Sequence, residues 1–341
     1  MAAKVVKIRL TRPTQKQRKQ KILQIQTTNI TYIFTEMTSM VNNDMFLGST
    51  YTKGFIDIES EHILQPFFRV RPGENHVFES CSEVSFDTVL LALADGTLTE
   101  LDVAIVKLTA VFASGFLLTN TVKERLTLMG YVFTDSVFNS AIRRLKRLEL
   151  ITVAHIKKDS GGILMTKLIS LSSLGSKLAA RLGMPHSYNE VSQRCSTTGQ
   201  VKAYAQGAQL LTNIQKKYPI EEFFYRPVIL CNAHAGEIVR PTFSIIKGGK
   251  TIYFNVVRRT DYWQSDIAEK LERFDAVVFE NDMIVINCED EEMSREASDF
   301  LADKSYKFEL YFTDDLASFG NGINSFIYRF EKDGTKNSVG L

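Results

Sequence analysis

Four cysteines in 341 residues (Cys81, Cys195, Cys231 and Cys288) leave no pair at metal-ligand spacing and too few thiols for a disulfide-built fold. The five histidines, His62, His76, His155, His186 and His234, are scattered singly, so neither a zinc nor a haem site is expected. So low a cysteine content suits a reducing compartment. No stretch reaches the ~18 to 20 apolar residues of a membrane span. The basic N-terminus is not followed by the apolar core of a signal peptide. These absences lead to the expectation of a cytoplasmic protein with no membrane partner and no cofactor. Nucleotide-binding signatures are missing too: "IIKGGKTI" (245–252) shares only Gly-Lys-Thr with a phosphate-binding loop, and it sits in a hairpin with no helix after it. There is no Gly-x-Gly-x-x-Gly, no H-E-x-x-H and no credible Ser/His/Asp order.

What the chain does have is charge, unevenly placed. The net charge is only +2, yet residues 1–25 hold eight Lys or Arg and no acid, whereas residues 271–315 hold fourteen Asp or Glu against four Lys or Arg. A polyanion would therefore be met by the front half. The acidic rear suggests a different reading, a scaffold that recruits a basic protein partner. With 44% hydrophobic and 23% charged residues the composition is globular, and the length predicts two or three domains.

Residues 1–22 are polar, basic and interrupted by Pro13, which predicts a flexible arm able to touch phosphates. Within 23–82, "ITYIFTEM" and "GFIDI" could be strands and "RPGEN" (71–75) is a turn, but no chemistry is legible. The polar stretch 184–200 makes the best linker. It would separate an N-terminal region (23–183) from a C-terminal domain (201–332).

The pattern sharpens at residue 84. "FDTVLLALAD" and "LTELDVAIVKLTAVFAS" read as helices separated by Gly96. Residues 102–114 supply an amphipathic helix, and a second is expected to start at Thr121 with Thr121-x-x-Glu124 as a capping box. A third, "SVFNSAIRRLKRLEL", is capped by Thr134 or Asp135. Its Val137, Ala141, Leu145 and Leu148 are expected to bury. Ser136, Asn139, Ser140, Arg143 and Arg147 line the other side, where small polar groups can approach base edges and guanidinium groups can reach guanine or phosphate. A hairpin follows, "LITVAHIKK", "DSGG" (159–162) and "ILMTKLISLS", with Lys157 and Lys158 beside its tip, and then the helix "SLGSKLAARLG". Helix, helix, helix, hairpin, helix over 100–182 resembles a winged helix-turn-helix domain. Across 119–170, nine Lys or Arg outweigh four Asp or Glu. Double-stranded DNA is the partner this implies, although a basic helix face is often merely solvated and winged helices also bind proteins.

Beyond residue 200 a helix (201–215) leads to "GEIVRPTFSII", the turn Lys247-Gly-Gly-Lys250 and "KTIYFNVV", a hairpin whose glycines permit positive φ. A helix (265–274), a strand "MIVINCED", an acidic helix, "KFELYFT" and a last strand near "SFIYRF" complete the pattern. This order resembles the PD-(D/E)XK restriction-endonuclease-like fold, so the whole is expected to be α+β, a winged helix followed by an α/β nuclease-like domain.

More narrowly, "VRPTF" (239–243), "IYFNVVRRTDYW" (252–263), "MIVINCEDEE" and "FELYFTDDLASF" behind such a winged helix resemble the replication-relaxation family over about residues 100–330. That resemblance implies a DNA-binding role in replication, maintenance or transfer of a plasmid or other mobile element. Carrying the nuclease motif across puts Thr242 at the first acid, Asn255 at the second and Val257 at the lysine. Neither Thr nor Asn brings the charge a divalent metal needs and Val257 cannot move a proton, so no catalytic residue, no metal and no phosphodiester cleavage are expected. The alternative is a nuclease whose acids have migrated to Glu237, Asp261 and Asp282. "VVRRTDYW" offers Arg258, Arg259, Tyr262 and Trp263 as a stacking platform for single-stranded DNA. The plainer reading buries Trp263 and pairs the arginines with downstream acids.

Overall fold

The computed structural model describes residues 69–70, 73–79, 83–113, 115–158, 163–184, 186, 188–230, 238–278, 282–319, 326–331 and 333–339, with the backbone alone at 158, 163–166 and 230. Contacts divide the chain after Gly48, and every described residue belongs to the unit Ser49–Leu341. The basic arm and the strands expected before residue 60 lie outside the described residues.

The front half runs β1 (Glu74–Phe78), α1 (Phe86–Ala94), α2 (Glu100–Val111), β2 (Leu117–Leu118), α3 (Thr119–Leu128), α4 (Asp135–Arg147), β3 (Ile151–Lys158), β4 (Ile163–Leu171) and α5 (Ser173–Arg181). Gly96, between α1 and α2, has φ +78°, a left-handed conformation that a side chain would strain. A capping box does form, but at α2: the Thr99 hydroxyl accepts from the Asp102 amide and Asp102 accepts from the Thr99 amide at 2.7 Å. The box expected at Thr121 and Glu124 is absent, because α3 starts two residues earlier behind Leu118, with no side-chain cap. Pairing of β2 with β4 sets that start. Thr134 caps α4, its hydroxyl accepting from the Val137 amide at 3.3 Å. The buried stripe of α4 is Phe138, Ala141 and Leu145; Val137, expected in the core, is 52% exposed. Phe138 fills the position instead, and each residue turns the helix by about 100°. The four strands pair antiparallel in the order β1-β3-β4-β2.

The rear half begins with α6 (Glu190–Arg194) and α7 (Thr198–Lys217), so the expected linker contains a short helix and the first residues of a long one. It is also anchored: the buried Gln193 amide donates to the Ser170 hydroxyl and to the Leu171 carbonyl at 3.0 Å. Next come β5 (Glu222–Tyr225), β6 (Ile229–Leu230), β7 (Ile238–Val239), β8 (Phe243–Lys247), β9 (Lys250–Val256), α8 (Trp263–Asp275), β10 (Met283–Cys288), α9 (Glu291–Leu301), β11 (Glu309–Asp314), α10 (Asp315–Phe319), β12 (Ile327–Phe330) and β13 (Lys336–Val339). Gly248 and Gly249, at φ +58° and +72°, make the expected tight turn of the β8–β9 hairpin. Seven strands form one sheet in the order β13-β12-β11-β10-β9-β8-β5, with β9, β10 and β11 mutually parallel and their other neighbours antiparallel. The pleat sends Phe254, Val285 and Tyr311 into the core shared with α7, and Ile284, Ile286 and Phe312 into a second core under α8 and α9. β13 lies beyond the expected end of the domain at 332.

The larger core runs without interruption from α1 to β12. Helix α7 joins the halves: it is buried along most of its length, although it carries Lys202, Gln206, Gln209, Thr212 and Asn213 among its buried residues. Polar groups in such a place must find partners. Lys202 forms a fully buried ion pair with Glu74 of β1 and also donates to the Arg69 carbonyl. Gln209 accepts from the Thr121 hydroxyl and donates to Glu124 at 3.0 Å. Arg125 of α3 donates to the Thr212 hydroxyl at 2.7 Å and to Gln215, and its guanidinium lies 5.1 and 5.6 Å from the ring centroids of Phe112 and Phe223.

Among the described residues no carboxylate is bonded to Arg125, and burial lowers its pKa to about 9, partly offset by the charge of Glu124. Arg125→Ala is expected to cost about 3 to 5 kcal/mol in urea unfolding, because it opens a cavity at the join. Arg125→Met keeps the volume and removes a desolvated charge, so its cost should be a small fraction of that. Equal losses for the two variants would show that the hydrogen bonds, not the packing, carry the seam.

Candidate nucleic-acid interface

Four basic side chains crowd the C-terminal half of α4, and the fold sorts them. Arg144 turns inward to the fully buried Asp102 at 2.7 Å, and the same carboxylate serves the α2 cap. Lys146 pairs with Glu79, which also accepts from His155 on β3. Those pairs hold α4 to α2 and to the sheet. Arg143 and Arg147 are exposed and form no ion pair among the described residues. Ser136, Asn139 and Ser140 are exposed on the same helix. Beside them stands Val137, apolar and half open to solvent, which sequence reasoning assigned to the core.

The β3–β4 hairpin carries Lys157 and Lys167, both exposed. The side chain of Lys158 and the turn 159–162 lie outside the described residues. Cationic side chains left unpaired on one helix, next to small polar ones and a basic hairpin, can meet phosphates and reach base edges. The helix C-terminus attracts cations and so tolerates this crowding.

At the C-terminal ends of the parallel strands the geometry is different. Thr242 is buried, its hydroxyl accepting from the Val256 amide at 3.0 Å and its methyl set against α7, where a Cβ on Gly207 would come within 2.3 Å of it. Asn255 is buried in register with Ile286, on the face of the second core, and its amide has no partner among the described residues. Thr242 and Asn255 therefore do not face a common pocket. Val257 is half-buried and donates its amide to the Asn287 carbonyl at 2.9 Å.

Of the acids proposed to have migrated, Glu237 lies outside the described residues. Asp261 follows β9 and Asp282 precedes β10, and because β9 and β10 are parallel these two stand at opposite ends of the sheet. They do not converge. Other carboxylates lie at the C-terminal ends of β10 and β11, the same end of the sheet as Asp261: Glu289, Asp290, Asp314 and Asp315. Each has structural work. Glu289 accepts from the Arg259 amide at 3.0 Å, Asp290 caps α9 and pairs with Arg69 at 2.8 Å, and Asp314 accepts from the Tyr328 hydroxyl and the Ala317 amide. Among the described residues, no group of three or more His, Cys, Asp or Glu is arranged to hold a metal ion.

No family model, curated protein or solved structure matches this chain.

The stacking platform also fails to assemble. Trp263 is 6% exposed and opens α8 within the second core, and Arg258 is buried in an ion pair with Asp315 at 3.1 Å. Arg259 grips Glu296 with both terminal nitrogens, at 2.8 and 3.1 Å. Tyr262 is open, whereas the exposed Arg259 is committed to Glu296. The single-stranded DNA reading loses its support here, because burial removes the faces that bases would need. The acidic rear is likewise largely committed: Glu272 pairs with Lys304, Glu291 with Lys336 and Arg295, and Glu296 with Arg259. The scaffold reading therefore gains nothing from this surface. Among the described residues no helix is long and apolar enough to cross a membrane.

Burial pushes the Asp315 carboxyl up to about 7, against the pull of Arg258. A folded pKa above the ~3.9 of free aspartate means that the fold holds an extra proton between those values. The associated stability is fully present at low pH and is lost as pH rises through about 7. Urea midpoints should therefore fall more steeply between about pH 4 and about pH 7 for the native chain than for Asp315→Asn, whose side chain stays neutral. Parallel profiles would assign the pH dependence elsewhere.

Proposed function

We propose that this chain binds double-stranded DNA through the exposed face of α4 and the β3–β4 hairpin, and does not cleave it. One observation carries the reading: α4 spends Arg144 and Lys146 on the fold and leaves Arg143 and Arg147 exposed beside Ser136, Asn139 and Ser140. The order α2, α3, α4, β3–β4, α5 supports a winged helix-turn-helix. The order α7, β5, β8, β9, α8, β10, with β10 parallel to β9, supports a restriction-endonuclease-like scaffold behind it. The resemblance to the replication-relaxation family directs the role towards replication, maintenance or transfer of a mobile element. Catalytic silence follows from Thr242, Asn255 and Val257 standing where hard oxygen ligands and a lysine would be needed.

Labelled duplex titrated at several salt concentrations tests the binding. Log affinity should fall linearly with log salt, and Arg143→Ala should reduce that slope by about one unit. Absence of binding at low salt sinks the proposal. Supercoiled plasmid incubated with Mg²⁺ or Mn²⁺ should stay intact; metal-dependent nicking abolished by Asp261→Ala would overturn the non-catalytic part.

A further inference from the structure

The β6–β7 ribbon packs beside α8, and an open cleft of about 400 Å³ lies along their junction, lined by Ile238, Val239, Arg240, Asp266, Glu269, Lys270 and Arg273. Asp266, Glu269, Lys270 and Arg273 are spaced i, i+3, i+4, i+7, so they form one face of the helix. Within that face Arg273 and Glu269 satisfy each other as an ion pair. Asp266 is exposed, and so is Arg240 across the cleft. Lys270 is the odd member. It is half-buried and forms no ion pair or hydrogen bond among the described residues. Its pKa falls to about 8, first through desolvation and then through the charge of Arg226. Arg226 itself lies over the Tyr204 ring, 4.3 Å from its centroid, and adopts a left-handed φ of +50° that brings it to this edge of the sheet.

A cation kept from water beside other cations is unfavourable until an anion enters, and the same geometry that weakens it when empty strengthens its hold on a negative charge. The cleft offers an ammonium point charge from Lys270, a guanidinium fork from Arg240 and an apolar wall from Ile238 and Val239. Ammonium and guanidinium together suit a tetrahedral oxyanion, the wall suits the carbon skeleton attached to it, and the volume lies within the ordinary range for small-ligand sites.

We propose that the cleft between β7 and α8 is a phosphate-binding site, with Lys270 as its central cation and Arg240 as its outer clamp. The phosphate can come from a free phosphate ester or from a nucleic-acid backbone. This site is separate from α4 and does not rest on the DNA-binding reading of that helix.

Competitive acetylation of the full chain, read by mass spectrometry, is the test, with inorganic phosphate as the probe. At pH 8 Lys270 carries roughly a hundred times more free amine than an ordinary lysine, so it should be acetylated faster than the exposed Lys177 of α5. Phosphate should slow Lys270 by at least about threefold relative to chloride at matched ionic strength, and leave Lys177 unchanged. Arg240→Gln, at an exposed position, should abolish most of that protection without unfolding the chain. Equal rates in phosphate and chloride, or full protection in Arg240→Gln, overturn the proposal. Duplex binding by Arg240→Gln, in which phosphate binding is still read at Lys270, then assigns the source. Weakened duplex affinity together with lost phosphate binding identifies a backbone phosphate, and unchanged duplex affinity with lost phosphate binding identifies a free ester. Arg143→Ala should retain phosphate protection in either case, so failure of the α4 reading and failure of this one are distinguishable.

Discussion

A helix buried on nearly every side has to account for each polar atom it carries, and α7 is such a helix. Its lysine, glutamines, threonine and asparagine are excluded from water by β1, α3, β9 and α10. Desolvation is offset where Glu74, Thr121, Glu124 and Arg125 meet them from the other half of the chain, while Asn213 donates to the Ser318 carbonyl and accepts from Gln209 within the rear half. The consequence is architectural. The two halves do not behave as beads on a tether, because each supplies hydrogen-bond partners that the other lacks. Gln206 departs from this rule: its amide is buried with no partner among the described residues, which is where ordered water commonly enters a protein interior.

The same economy of charge runs outward from the seam. Asp102 caps α2 and holds Arg144, so one buried carboxylate fixes two helices and orients a third side chain by exclusion. Glu79 does likewise for Lys146 and His155. With these carboxylates engaged, Arg143 and Arg147 form no ion pair among the described residues. At the far edge of the large sheet the balance is reversed: Glu289, Asp290, Asp314 and Asp315 are drawn into caps and pairs with Arg69, Arg258, Arg259 and Tyr328. Carboxylates tied to backbone amides and guanidinium groups serve as structure.

Periodicity made several elements readable in advance. The Gly248-Gly249 turn permits positive φ, and the β-branched runs on either side of it extend into strands, so the β8–β9 hairpin is a local property of its residues. The five exposed polar positions on α4 follow from helical spacing alone, and the buried Trp263 follows from its size and solitude in a charged stretch. Local reasoning erred where a long-range contact outbid a local preference. Thr121 and Glu124 have the spacing of a capping box, but strand pairing by Leu117 and Leu118 starts the helix sooner and Gln209 claims the threonine. Residues 184–200 are polar enough for a linker, yet one buried glutamine fastens them to β4. Val137 and Phe138 are both apolar, and only packing against the neighbouring ring of Phe133 decides which of them is buried.

The amino-acid sequence by itself determined most of the longer helices and strands, where the tight turn would fall, and that motif positions 242, 255 and 257 carry no acid and no lysine, because these depend on neighbours a few residues apart. The tertiary structure decided which arginines are spent and which stay exposed, that Asp261 and Asp282 stand at opposite ends of parallel strands, and that Lys270 is held beside Arg226 with no carboxylate bonded to it. Each of those outcomes depends on charges brought together from distant parts of the chain, and Coulomb energies and desolvation are set by distance in space and by burial, neither of which spacing along the chain reveals.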